Sequence, residues 1–210
     1  MNLSSRALTG KSRTSYRVRF AIENSARNKA AGTDKITVEM IQACGDVGVV
    51  LHGVFNTAWK MRSVPDDWQK AVIIPIWKRK GSKRDCSKYR GISLLSHAGK
   101  MYAKILETRI RPIVEPQLSE AQFGFRKNRG CTYAIFALRQ LSETTISYDE
   151  NLAMCFVDQE KAFDRVDRSL LWRVLEQYGV HGQLWHGIRA FIETVRARLE
   201  RKMAKLTGSP

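Results

Sequence analysis

Acidic residues are scarce in this chain. Its 36 Lys and Arg stand against 20 Asp and Glu, a formal net charge of +16 over 210 residues. Such an excess points to nucleic acid or an anionic membrane surface as partner, with an uninvolved basic surface as the plainer alternative. Long apolar runs are also missing. No stretch reaches the roughly 18 apolar residues of a transmembrane helix, so no membrane partner is expected. The start, Met1 to Arg19, is polar and basic and has no apolar h-region, which argues against a secretory signal. The four cysteines, Cys44, Cys86, Cys131 and Cys155, show no Cys-x-x-Cys spacing, and suggest reduced intracellular thiols rather than a zinc knuckle or disulfide frame. His181 and His186 are five apart, the wrong spacing for one helix face.

What is present is a core-forming pattern. Hydrophobic residues make up 43% of the chain, enough for one large domain or two small ones. Residues 1–16 read as a flexible basic arm. A helix is predicted over Arg17–Lys29, a short one near Val38–Ala43, and a longer one over Val47–Arg62. Leu51, Val54, Phe55, Ala58 and Trp59 recur there at helical spacing. Ala71–Trp77 and Ile92–Leu95 are strand-like. Between them Lys78–Arg90 holds seven basic residues and one acid, Asp85, with a Gly81-Ser82 turn. The pattern predicts a β-hairpin with a cationic tip. A helix follows over Ala98–Arg111, limited by Pro112. Its Lys100, Lys104, Arg109 and Arg111 fit a nucleic-acid track and a solvated face equally well. Cys131–Leu141 is predicted helical with Ala134, Ile135, Leu138 and Leu141 buried. Leu152–Val157 is a strand-like run ending at Asp158. Asp167 is placed to cap a helix over Leu170–Tyr178 that Gly179 ends. A last helix is predicted from Gln183 into Leu199.

The run from Cys155 to Val166 carries the chemistry. An apolar segment delivers the carboxylate of Asp158, and Phe163 follows five residues on. A carboxylate there can hold a divalent cation. An Asp that caps the next helix is the plainer reading of the same pattern.

Phe156-Val157-Asp158-x-x-Lys161-Ala162-Phe163-Asp164-x-Val166 resembles the first catalytic motif of reverse transcriptases from non-LTR retrotransposons, in the form found in LINE-type and RTE-like elements. The resemblance extends upstream, in order, through Ala30-Ala31-Gly32-Thr33-Asp34, Trp68 with Ile73–Lys80, Tyr89-Arg90-Gly91-Ile92-Ser93-Leu94-Leu95, and Gln122-Phe123-Gly124-Phe125-Arg126. It covers roughly residues 17–192. Thr33 and Lys35 replace the Pro and second Gly of the family's first loop.

The resemblance implies an α+β fold, mostly helical with a β-hairpin: the fingers (residues 17–150) and the start of the palm (151–195) of a right-hand polymerase. The basic tail 196–210 carries no match to the family at this level. It implies RNA-directed DNA polymerase activity on an RNA template and DNA primer with dNTPs. Asp158 is then the catalytic carboxylate and, with the backbone carbonyl of Gln159, a ligand of Mg²⁺. Arg90, with Lys78 or Lys80, would grip the triphosphate, since Arg presents a fork of donors to phosphate. Phe163 would lie under the deoxyribose and exclude a 2′ hydroxyl. Gln122, Phe123, Gly124, Phe125 and Arg126 would line the template–primer path, although Phe123 and Phe125 also read as core.

Two Mg²⁺ ions about 3.5–4 Å apart need more than one carboxylate. The family's Tyr-x-Asp-Asp hairpin, its preceding Gly- and Gln-containing motif and its thumb have no counterpart in these residues. The expectation is therefore a truncated reverse transcriptase domain, inactive alone, whose remaining palm and thumb belong to a longer parent protein. It would be intracellular, in the cytoplasm with nuclear access if it acts on chromosomal DNA. A non-catalytic remnant that binds RNA or an RNA–DNA hybrid is the alternative, and a fragment that does not fold stably is the third reading.

Overall fold

A computed structural model describes residues 10–194 and 196–199. Two compact units divide the chain: residues 1–110 with 181–210, and residues 111–180. The fold is mostly helical with an antiparallel hairpin.

The first unit begins with α1, Gly10–Glu23. The chain is thus helical within the stretch predicted to be a flexible arm, and stops being helical before Lys29. Residues 1–9 of that arm lie outside the described residues. Val18, Ala21 and Ile22 are the buried side of α1. Thr37 caps α2, Val38–Ala43, by accepting from the Met40 amide at 3.3 Å. In α3, Val47–Met61, the buried Leu51, Phe55 and Ala58 recur at four and three residues, so one face packs inward. Arg62 ends α3 in a left-handed conformation, its amide bonded to the Ala58 carbonyl.

The strands β1, Lys70–Trp77, and β2, Tyr89–Leu94, pair antiparallel with Ile74 opposite Ile92 and Ile76 opposite Arg90. A third strand, β3, Arg196–Leu199, pairs parallel with Lys70–Ile73, giving the order β2-β1-β3. The helix predicted to reach Leu199 therefore ends sooner: α7 spans Gly182–Thr194. An open edge of β1 offers unpaired backbone groups, and the chain satisfies them with a strand rather than another turn of helix. Pro75 sits beyond the residues that β3 covers, where its missing N–H breaks no ladder on that side.

Helix α4, His97–Val114, starts from buried Ser96, whose hydroxyl accepts from the Gly99 amide at 3.1 Å. It continues through Pro112 rather than stopping there. In the last turn of a helix the missing bond and the ring clash fall where the helix is ending anyway. The core of this unit is aromatic. Phe55, Trp68 and Tyr102 form a triangle with ring centroids 5.4–5.5 Å apart, and Phe191 of α7 lies 6.2 Å from Tyr102. Arg109, which the sequence left open between a nucleic-acid track and solvent, does neither: its guanidinium lies 4.2 Å from the Trp59 ring centroid.

The second unit holds the end of α4, α5 (Cys131–Ser147) and α6 (Arg168–Gln177). Asp167 caps α6, accepting from the Ser169 amide at 2.7 Å and the Leu170 amide at 3.2 Å. Gly179, with φ +84°, ends it. Gln117 bridges the Ile113 and Tyr178 carbonyls at 2.7 and 2.9 Å. Trp172 and Val180 are its buried apolar residues.

Two expectations fail here. Helix α5 is longer than predicted and buries none of its residues; Ile135, Leu138 and Leu141 are exposed. The run Leu152–Val157 is not a strand but an exposed, irregular segment. Both have one cause. An apolar strand persists only with a neighbour to complete its hydrogen bonds, and an apolar stripe is buried only where something covers it. Among the described residues nothing does either.

Candidate nucleotide and nucleic-acid site

The site residues form two groups, one in each unit. The first is the hairpin tip. Trp77 faces Tyr89 in the register, and the Lys78 amide donates to the Lys88 carbonyl at 2.8 Å, which carries the pairing one residue past the strands. Arg79 and Gly81 turn the chain with φ of +56° and +76°. Tyr89 donates its hydroxyl proton to the Lys83 carbonyl at 2.8 Å and ties the far side of the loop down. The register sets Arg90 across from Ile76, and a pocket of about 220 Å³ forms among Ile76, Trp77, Lys78, Arg79 and Arg90. Two of the three residues predicted to hold phosphate thus share one concavity. Lys80 is exposed at the tip and does not line that pocket.

Asp85 is the acid of this loop. It accepts from the Ser87 amide at 2.9 Å and faces Lys88 at 3.8 Å. Its bonds to Ser87, and then the charges of Lys88 and Lys78, hold its carboxyl below the usual range. Lys78 itself donates to the Ser87 carbonyl at 3.2 Å. The pocket is therefore lined by cations with no carboxylate among them, a surface suited to an anion.

The second group lies in the second unit. Phe125 and Phe163 meet edge to face, with ring centroids 6.2 Å apart and planes at 83°. Both rings are otherwise open, 87% and 81% exposed. Phe125 holds φ at +60° and Lys161 at +51°, a conformation costly for residues with a side chain. Lys161 leads into one tight turn, Ala162–Arg165, that presents Phe163. Asp158 and Gln159 are exposed in the segment before it. Gln122 donates to the Gly124 carbonyl at 3.1 Å, and Phe123 is half-buried.

Arg126 differs from its neighbours. Its side chain is 8% exposed and donates to Glu115 at 2.9 Å and to the Ser119 carbonyl at 2.7 Å. Arg111 reaches the other oxygen of Glu115 at 3.0 Å. The Arg126 hydrogen bond, and then the charges of Arg126 and Arg111, hold the Glu115 carboxyl below its ordinary range. Sequence reasoning missed Glu115 as the anchor of this loop. Glu115 lies eleven residues before Arg126 in a separate short turn, so no periodicity of a shared element pairs them.

Among the described residues no group of three His, Cys, Asp or Glu side chains is placed to hold a metal ion. A pair of divalent ions needs several carboxylates, so these residues fit such a centre only in part, through Asp158.

The model of the family described as reverse transcriptase (RNA-dependent DNA polymerase) matches residues 78–210. This chain belongs to that family. The match takes in the hairpin tip, Arg90, the 122–126 loop, Asp158 and Phe163, and runs on through 196–210. The chain is 31% identical over 159 residues to the uncharacterized 149 kDa protein of transposon TX1 from Xenopus laevis, covering 75% of this chain and 12% of that protein. It is 27% identical over 169 residues to the RNA-directed DNA polymerase of the mobile element jockey from Drosophila melanogaster, covering 79% of this chain and 18% of the polymerase. For the jockey polymerase of Drosophila funebris the identity is 30% over 141 residues, 66% of this chain and 15% of the polymerase. These relatives place the reverse transcriptase domain among those of non-LTR retrotransposons. The chain spans less than a fifth of the curated relatives it matches. No described helix is long and apolar enough to cross a membrane.

Proposed function

We propose that this chain is the fingers and opening palm of an RNA-directed DNA polymerase of a non-LTR retrotransposon, and that it does not polymerise alone. The pocket that joins Lys78 and Arg90 carries the reading. Lys78 and Arg90 hold the phosphates of a dNTP, and Lys80 adds charge at the tip. In the second unit, Phe163 is the ring we assign to a deoxyribose contact. Gln122, Phe123, Gly124 and Phe125 line the path of RNA template and DNA primer, and Arg126 holds that loop in shape through Glu115.

Asp158 and the Gln159 carbonyl contribute part of a Mg²⁺ site. Further carboxylates must come from palm residues that belong to a longer protein. The exposed apolar residues of α5 and the unpaired run before Asp158 support this, because they are the surfaces such residues would cover. Primer extension on an RNA template with a DNA primer, dNTPs and Mg²⁺ tests it, beside Asp158→Ala. The expected result is no extension from a folded chain. Extension that disappears in Asp158→Ala would show that the site is complete after all.

The charge of +16 also favours a second reading, a non-catalytic holder of RNA or an RNA–DNA hybrid. It predicts strongly salt-dependent RNA binding that is unaffected by Arg90→Ala.

A further inference from the structure

A groove of about 710 Å³ runs between α1, the loop after it, and α4. Its floor is apolar: Ala21, Val38, Met101 and Ile105, all buried. Phe20 and Tyr16 also line it, their rings stacked at 6.3 Å. Arg17, Lys29, Lys100 and Lys104 stand on the rim, and among the described residues no Asp or Glu lines the groove. Lys104 pairs with Glu107 at 2.9 Å, and among the described residues no salt bridge ties up Arg17, Lys29 or Lys100.

His97 supplies a separate observation. It lines the groove, is 4% exposed, and its Nε2 has no hydrogen-bond partner among the described residues. Burial, then the charge of Lys100, holds its pKa below the usual imidazole value, against a hydrogen bond to the Lys29 backbone and the Asp34 and Glu39 carboxylates. A buried acceptor without a donor is costly until something supplies one. Lys100 is likewise held below its ordinary pKa by burial, against the pull of Asp34. Both groups gain from an occupant that brings a hydrogen-bond donor and negative charge.

Length and lining decide the class of occupant. From His97 to Thr108 the groove follows α4 for about 16 Å, the length of three helical turns. A floor of aliphatic side chains takes apolar anchors at i, i+3, i+4 and i+7, as helix-in-groove recognition does. A polynucleotide would place flat bases on that floor, where Ala21, Val38, Met101 and Ile105 offer no ring to stack on.

We propose that this groove docks an acidic amphipathic α-helix of a separate protein, with its apolar face on Met101 and Ile105 and its carboxylates on Arg17, Lys29 and Lys100. The site is independent of the nucleotide pocket. The test is fluorescence anisotropy of this chain with a labelled helical peptide of about 14 residues, Leu at the anchor positions and Glu on both flanks. A peptide of the same composition in scrambled order is the control, both at about 0.15 M salt so that loose charge attraction is screened.

The patterned peptide should bind at least about tenfold more tightly than the scrambled one. Phe20→Ser and Lys29→Glu alter exposed residues, so their thermal unfolding should be unchanged, and each should weaken binding by about fivefold or more. Lys60→Glu makes the same charge change on α3 and should leave affinity as it was. Equal binding of the two peptides, no binding of either, or an equal loss in Lys60→Glu would overturn the proposal. So would a single-stranded oligonucleotide of the same charge that binds with the same dependence on Phe20 and Lys29.

Discussion

Gly32→Ala should destabilise the first unit, and Gly53→Ala should stabilise it. A Cβ on Gly32 would stand 2.7 Å from the Ser96 amide nitrogen, 2.8 Å from the Leu95 carbonyl carbon and 2.9 Å from the Ser96 Cα. All three atoms are backbone and cannot swing aside. They form the junction at which β2 gives way to α4. Ser96 is fully buried there, its hydroxyl on the Gly99 amide and its carbonyl on the Lys100 amide at 3.0 Å. Relieving the overlap means moving that cap. Overpacking of this kind costs about 1–3 kcal/mol. At about 2–4 °C per kcal/mol for a chain of this size, the melting temperature should fall by about 2–12 °C. Gly53 has no atom within 4 Å of its virtual Cβ and sits inside α3, where Ala is favoured over Gly by about 0.5–1 kcal/mol. Its variant should melt slightly higher. Thermal unfolding followed by circular dichroism reads both. A Gly32→Ala chain as stable as wild type would refute the close approach of this loop to Ser96.

Three other outcomes follow from the packing and the charges. Phe55→Ala removes one corner of the triangle with Trp68 and Tyr102, and should cost about 3–5 kcal/mol in denaturant unfolding. Phe136→Ser on α5 should change stability by less than about 0.5 kcal/mol because that ring is exposed, and should reduce the binding of a hydrophobic dye. Glu115 is held below its ordinary value of 4.5 by the Arg126 hydrogen bond first. A carboxyl depressed on folding stabilises above its unfolded pKa and loses that contribution as pH falls through the folded one. Acid unfolding should therefore steepen below pH 4.5 in the wild type and be shallower there in Glu115→Gln.

Elements whose partners are local in sequence could be read from the chain itself. The stripe Leu51, Phe55, Ala58 defines α3, Asp167 and Gly179 bracket α6, and the apolar runs flanking a Gly81-Ser82 turn announce the hairpin. Once the hairpin is drawn, Lys78 and Arg90 fall on one side of it, so the pocket they share was legible too. What was not legible depends on groups far away in sequence or outside these residues. The run before Asp158 has the composition of a buried strand but no strand beside it. The apolar positions of α5 have the spacing of a packed helix, but no described residue buries them. Arg126 looked like its aromatic neighbours, a contact for nucleic acid, because nothing in its local spacing points to Glu115. β3 was hidden because Arg-Ala-Arg-Leu carries little strand propensity, and its place is set by the open edge of β1.

The central claim is that the hairpin pocket holds a nucleotide triphosphate. Calorimetric titration of this chain with a dNTP in Mg²⁺ buffer tests it most directly, alongside Arg90→Ala and Lys78→Ala. A charge-assisted hydrogen bond is worth about 1.5–3 kcal/mol, so Arg90→Ala should weaken binding by about tenfold or more. Lys78→Ala should weaken it in the same direction. Binding that is unchanged in both variants, or equally strong for a nucleoside with no phosphate, would contradict the account.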